Sequence, residues 1–170
     1  MQGNYIFLVL KTLEREVLLV NIYGPNKDDP VFFEEIRDRI KEVNINDVII
    51  GGDWNLVMNP NLDYHNYKNT NNEKAREIVL NMTTELEVVD VWRELNPEIL
   101  RYSWRRPTPF QQSRLDFFLI SENLIGYVKD ADIPYGYRTR SDHSMVYIEL
   151  TFCREQRRKT FWKFNSSLLR

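Results

Sequence analysis

The chain has 170 residues, of which 42% are hydrophobic and 28% charged, and its 23 basic and 25 acidic side chains leave a formal net charge of -2. That length supports one domain with a real core, and the balance carries none of the basic surplus usual in nucleic-acid binders, although a local patch can serve the same end. No apolar run approaches the ~20 residues that span a bilayer, the first residues lack the features of a signal peptide, and the single Cys153 excludes a disulfide framework or a Cys-rich zinc site; the expectation is an intracellular domain with no membrane partner.

Residues 5–11 (YIFLVLK) and 16–23 (EVLLVNIY) are apolar and β-branched around a short polar link, which predicts a hairpin. GPNKDDP (24–30) is dense in turn formers. In 31–43, Phe32, Phe33, Ile36, Ile40 and Val43 recur at helical spacing. VIIGGD (48–53) reads as a short strand, and the Asn-rich 59–72 as a long surface loop. An amphipathic helix should begin at 73, capped by Asn72 or Thr70. RYSW (101–104), RLDFFLIS (114–121), YVKDADIP (127–134) and MVYIELTF (145–152) read as strands, with RRPTPFQQS as a loop. Helices interspersed with hairpins predict an α+β layered domain over residues 1–152. Residues 153–170 turn basic and read as a tail or linker.

The polar residues gather where strands begin or end. GGDWN puts Asp53 and Asn55 after an apolar strand, and NIYGPN puts Tyr23 and Asn26 after another. RLDFF buries Asp116 in a strand, and SDHS sets Asp142 and one of two histidines, His143, just before the last one. A carboxylate in an apolar strand is costly unless it is paired or coordinated. Each piece has a plainer reading: turn chemistry for Asp53 and Asn55, an ion pair of Asp116 with Arg114 or Arg140, a cap at Asp142. Taken together, the set suits phosphodiester cleavage. That reaction needs an activated water, groups that polarise the phosphate, and stabilisation of the leaving oxyanion. Carboxylates with an amide oxygen suit a hard cation such as Mg²⁺.

The ordered motifs NIYGPN, GGDWN, RLDFFLIS and SDHS, across residues 18–152, resemble the endonuclease/exonuclease/phosphatase superfamily. That superfamily includes apurinic endonucleases and the endonuclease domains of non-LTR (LINE-type) retrotransposons. DVWRELNPEILRYSW and FWKFNSSLL further resemble the retrotransposon branch. The resemblance implies a two-layer β-sandwich flanked by helices, with the site at one end. It implies that Asp53 activates water or binds metal, and that Asn55 holds the scissile phosphate. Tyr23 and Asn26 would contact the phosphate or its leaving oxygen. Asp116 would orient His143, which donates to a phosphate oxygen. Asp53, Asn55 and Asp142 would hold Mg²⁺ or Mn²⁺, with Ser103 and Ser141 as hydrogen-bond partners at the phosphate. The partner would be DNA, with a downstream reverse transcriptase in the intact parent protein and a nuclear location if the substrate is chromosomal. The pattern expected upstream of NIYGPN, early strands and a metal-ligating Glu, has no counterpart in residues 1–20, so a truncated domain lacking its N-terminal strands, with impaired activity, is expected.

Two other readings stand beside it. The same scaffold serves phosphatases of small or lipid phosphoesters. Arg101, Arg105 and Arg106 around Tyr102 and Trp104 also suit backbone contact and base stacking, so a non-catalytic nucleic-acid-binding remnant is the second alternative.

Overall fold

The computed structural model describes residues 3–66, 72–134 and 141–152. β1 (Asn4–Lys11) and β2 (Glu16–Tyr23) form the predicted antiparallel hairpin, in register from Asn4↔Tyr23 to Lys11↔Glu16. α1 (Pro30–Val43) starts where the Asp29 carboxylate accepts the Phe32 N–H and Pro30 fills the first turn. It ends at Asn44, which takes the left-handed conformation at φ 56°. β3 (Asp47–Asp53) then runs parallel to β2, completing a β-α-β crossover.

The middle of the chain is α2 (Pro60–Asp63), β4 (Tyr64–His65), α3 (Glu73–Glu85), β5 (Val88–Asp90) and α4 (Val91–Leu95). β6 (Trp104–Pro107), β7 (Phe110–Ser113), β8 (Asp116–Ser121), a 3-10 turn at Glu122–Tyr127, β9 (Val128–Asp132) and β10 (Tyr147–Leu150) follow. The main sheet has the order β1-β2-β3-β8-β5, while β9 pairs with β10 and the order β4-β7-β6 makes a small third sheet.

Strand alternation sorts the core into two layers. Leu18, Val20, Ile22, Val48, Ile50, Phe117 and Leu119 face α1 and α3, where they meet Phe33, Ile36, Val79 and Met82. Val17, Ile49 and Ile120 face the other way, onto Ala131, Ile148 and Leu150 of the β9–β10 sheet. Trp54 is fully buried in the first layer, stacked 4.7 Å from Phe117 and 6.0 Å from Phe33. It is therefore a packing residue, unable to reach a substrate. The architecture is α+β, with mixed sheets flanked by helices.

Four readings of the sequence need correction. Of RYSW (101–104), read as a strand, only Trp104 belongs to one, as the first residue of β6. The stretch 105–113 is a β-hairpin rather than a loop: β6 and β7 pair from Trp104↔Ser113 to Pro107↔Phe110. Its strands are mostly polar and mostly half-buried or exposed, so alternation does not mark them. The stretch 59–66 contains a helical turn and a short strand, and Asp63 within it is fully buried. The cap of α3 comes from elsewhere. Asn72 makes no side-chain cap bond, and the Asp28 carboxylate instead accepts Lys74 N–H at 3.2 Å and Ala75 N–H at 2.8 Å. Thr70 lies outside the described residues. Asp28→Ala should lower stability by about 1 kcal/mol, the usual worth of such a cap, read from the denaturant midpoint at constant slope.

Candidate active site

Register brings the site together. β3 lies parallel to β2 with Tyr23↔Asp53, and antiparallel to β8 with Asp53↔Asp116. Three strand ends thus set Tyr23, Asp53 and Asp116 side by side. Gly52, at φ 137°, lets the strand close on β2, since a Cβ there would sit 2.0 Å from the Ile22 carbonyl oxygen. An open cleft of about 350 Å³ lies at this end of the sheet. Tyr23, Asn26, Asp53, Asn55 and His143 line it, and Tyr64, Trp104, Ser113 and Leu115 complete its walls.

His143 Nδ1 lies 2.8 Å from Asp116 Oδ2, and its Nε2 lies 3.9 Å from Asp53 Oδ2. Asp116 therefore fixes the ring so that Nε2 faces the cleft. The hydrogen bond from the imidazole to Asp116 holds the His143 pKa above its ordinary value against the opposing effect of burial, with Asp53 and Asp142 adding to the rise. Asp53 is raised as well, first by burial and then by the Asp116 charge, while the Asn55 N–H and His143 pull it down. Arg114 does not pair with Asp116; its guanidinium goes to Asp63 and Asp90. Arg140 lies outside the described residues.

Asn55 is held at φ 52° by contacts on three sides. Its N–H donates to Asp53 Oδ1 at 2.9 Å, its side-chain amide donates to the Gly24 carbonyl at 2.7 Å, and its own carbonyl accepts Asn72 Nδ2 at 2.8 Å. Gly24 is required here, because a Cβ would stand 2.3 Å from the Trp54 carbonyl oxygen. The bound amide nitrogen leaves Asn55 Oδ1 as the free end.

Asp142 is exposed beside the cleft and not among its lining residues: its Oδ2 accepts the Trp104 indole N–H at 2.9 Å, and its carbonyl accepts the Arg105 N–H at 3.0 Å. Ser141 Oγ accepts the His143 N–H at 3.1 Å. Ser103 is fully buried, so it cannot contact DNA as the resemblance implied; its Oγ accepts the N–H groups of Leu115 and Asp116 from beneath. Arg105 is half-buried on β6, beside the exposed Arg106.

Three anionic side chains, Asp53, Asp116 and Asp142, face a single imidazole. Among the described residues, Asp53, Asp116 and His143 offer ligand atoms within 4.8 Å of one another. This oxygen-rich, net-negative donor set fits a hard dication. The raised Asp53 has a consequence for folding. A carboxyl whose folded pKa is raised contributes stability below the ordinary carboxylate range and loses it as pH rises through the folded value. Asp53→Asn should therefore melt at a higher temperature than the parent at neutral pH in chelator, and excess Mg²⁺ should raise the parent's melting temperature while leaving the variant's unmoved.

Sequence reasoning passed over Tyr64 and saw Asn72 only as a candidate helix cap; both sit in a polar stretch with no periodicity. It also passed over Asp90, although VVDVW carries the same signal, an acid in an apolar run, that singled out Asp116.

Fold and site together define an α+β domain with acids, amides and one imidazole gathered at one end of its main sheet. A model of the endonuclease/exonuclease/phosphatase family matches residues 12–143, and the chain belongs to that family. Over 98% of its length it is 28% identical to the transposon TX1 uncharacterized 149 kDa protein of Xenopus laevis, of which it covers 13%. Its fold is similar to that of the endonuclease domain of TRAS1, a telomere-specific non-LTR retrotransposon (TM-score 0.66, 20% identity, 86% of this chain and 63% of that one). An AP endonuclease from Archaeoglobus fulgidus is comparably close (TM-score 0.66, 20% identity, 79% and 61%). So is the Neisseria 3′ phosphatase NExo bound to product DNA hairpin (TM-score 0.65, 19% identity, 86% and 65%). The chain thus spans less than two thirds of each of these structures.

Proposed function

We propose that this chain is a metal-dependent DNA endonuclease domain that nicks one strand and leaves a 3′-hydroxyl for target-primed reverse transcription. The observation that carries the proposal is the His143–Asp116 pair facing Asp53 across the strand ends, with Asn55 locked beside them. Similarity to a transposon protein and to a retrotransposon endonuclease domain favours DNA as substrate over small phosphoesters. In this reading the reverse transcriptase belongs to the same parent protein. Residues 153–170, outside the described residues, lead toward it, and the site of action on chromosomal DNA is the nucleus.

Each group has a role at the phosphate. Asp53 takes the proton of the attacking water or, in the alternative mechanism, holds the metal. Protonated His143 donates from Nε2 to a phosphate oxygen while its Nδ1–H is held by Asp116. Tyr23, Asn26 and the Asn55 amide orient the phosphate and its leaving oxygen. Asp53, Asp142 and the Asn55 amide oxygen would hold Mg²⁺ or Mn²⁺, an ion that supplies positive charge to the phosphate oxygens. Arg105 and Arg106 lie on the β6–β7 hairpin, which borders the cleft, where they suit the DNA backbone. Among the described residues no glutamate lines the cleft. With fewer charged ligands, Mg²⁺ affinity is weaker and turnover correspondingly impaired.

Supercoiled plasmid is the test substrate. Slow conversion to relaxed circles in Mg²⁺ or Mn²⁺, stopped by chelator and by Asp142→Ala, supports the proposal. Phosphate release from small phosphoesters without nicking would move the substrate to that class. Salt-dependent DNA binding with no cleavage, unchanged by Asp53→Ala, would leave only a binding module.

A further inference from the structure

Behind the cleft lies an ion network with no direct access to substrate. The Arg114 side chain is fully buried, between the rings of Trp92 and Phe117 at 5.5 and 5.2 Å from their centroids. Its Nε and Nη2 donate to Asp63 Oδ1 and Oδ2 at 2.8 and 3.0 Å, and Nη2 also reaches Asp90 Oδ2 at 2.6 Å. Arg93 supplies a second cation to Asp63 at 2.6 Å, and its backbone N–H donates to Asp90 Oδ1 at 3.2 Å. Two cations meet two carboxylates, so the cluster is neutral. Buried ion networks add little stability over an apolar cluster of the same volume. What the planar, forked guanidinium supplies is direction.

We propose that Arg114 is a positioning residue for the His143–Asp116 pair; the inference rests on the reading of that pair given above. Arg114 stands two residues before Asp116. Three consecutive backbone N–H groups in this segment are fixed: Arg114 to the Asp63 carbonyl at 3.0 Å, and Leu115 and Asp116 to Ser103 Oγ. His143 arrives on a separate segment, tied to the same serine through Ser144 N–H and the Ser103 carbonyl at 2.6 Å. The 2.8 Å contact between imidazole and carboxylate thus depends on where two segments lie relative to each other. The side chain of Arg114 anchors one of them to α2 and to the β5–α4 junction. A displacement of about 1 Å is enough to cost on the order of 100-fold in turnover.

Arg114→Lys separates positioning from charge: the network stays neutral but the fork is lost. The readout is the Nδ1-bound proton of His143 in the NMR spectrum at fixed pH, assigned with the His65→Gln variant, because the chain has only two histidines. The parent should show this proton protected from exchange. Arg114→Lys should lose it while keeping a dispersed amide spectrum, with plasmid-nicking kcat down on the order of 10- to 100-fold and KM within about twofold. An unchanged proton in folded Arg114→Lys overturns the proposal, as does its absence from the parent. If Arg114→Lys does not fold, Asp90→Asn, at the rim of the network, takes the same measurement. A weakened proton there supports positioning; an unchanged one, or failure of both variants to fold, reduces the network to stability alone. A parent that shows the proton but never nicks refutes the nuclease reading and leaves the positioning result standing.

Discussion

His143→Gln should lower plasmid nicking by about 10²- to 10³-fold with little change in DNA affinity, as expected for loss of a charged donor to a phosphate oxygen that acts in the transition state. Glutamine keeps a polar tip but cannot carry the charge. The pH profile adds a sharper signature. The hydrogen bond to Asp116 raises the His143 pKa, so the protonated donor persists above the ordinary imidazole value and activity falls as pH rises through the raised one. Asp53 must be ionised to act as base or as metal ligand, so activity falls in acid as Asp53 takes up its proton. Asp116→Asn should move the alkaline limb to lower pH, because its largest upward cause is gone. A profile whose alkaline limb is unchanged in Asp116→Asn would remove His143 from the proton-donor role. The same raised pKa means that His143 contributes stability below about pH 6.5, lost as pH rises through its folded value.

Asp63→Ala should be the most destabilising single substitution among the cleft-supporting residues, at about 3–5 kcal/mol. It leaves Arg114 and Arg93 buried or half-buried without their shared carboxylate. That is a large part of the 5–15 kcal/mol typical of a whole domain. Burial alone would raise the Asp63 pKa, but the Arg114 charge and hydrogen bonds, with those of Asn59 N–H and Arg93, bring it below the ordinary value. Its contribution is therefore present above the usual carboxylate pKa, about 3.9, and lost as pH falls through the folded value. Urea unfolding across this range should show the parent losing stability in acid and Asp63→Ala losing less. The paired change Asp63→Leu with Arg114→Met should recover most of the stability. Equal stability of parent and Asp63→Ala at neutral pH would dissolve the account of the network.

Strands β1, β2, β3 and β8 were legible as short apolar runs bounded by turn formers or polar residues, and helix α1 and the start of α3 as apolar residues repeating every 3.6 positions. Asp53, Asn55, Asp116 and His143 stood out because acids and amides at the ends of apolar strands are costly without a purpose. Trp54 was less legible: nothing local says that a tryptophan between two cleft residues points inward to stack on Phe117. Asp63 was invisible, and Asn72 legible only as a candidate helix cap, for a related reason: their partners, Arg114 and Asn55, lie 51 and 17 residues away. The β6–β7 hairpin was missed because strands of Arg and Gln carry no hydrophobic period.

β1 ends the main sheet, and the outward row of its pleat, Ile6, Leu8 and Leu10, is 66%, 58% and 41% exposed. The β9–β10 sheet shields Val17 and Ile49 but stops short of this row. In solution, that bare apolar ribbon with unpaired backbone groups is an adhesive edge. Preparations of this chain should scatter light increasingly with concentration and bind an apolar dye, and Leu8→Lys should suppress both, since the charge lands on the sticky face and far from the cleft.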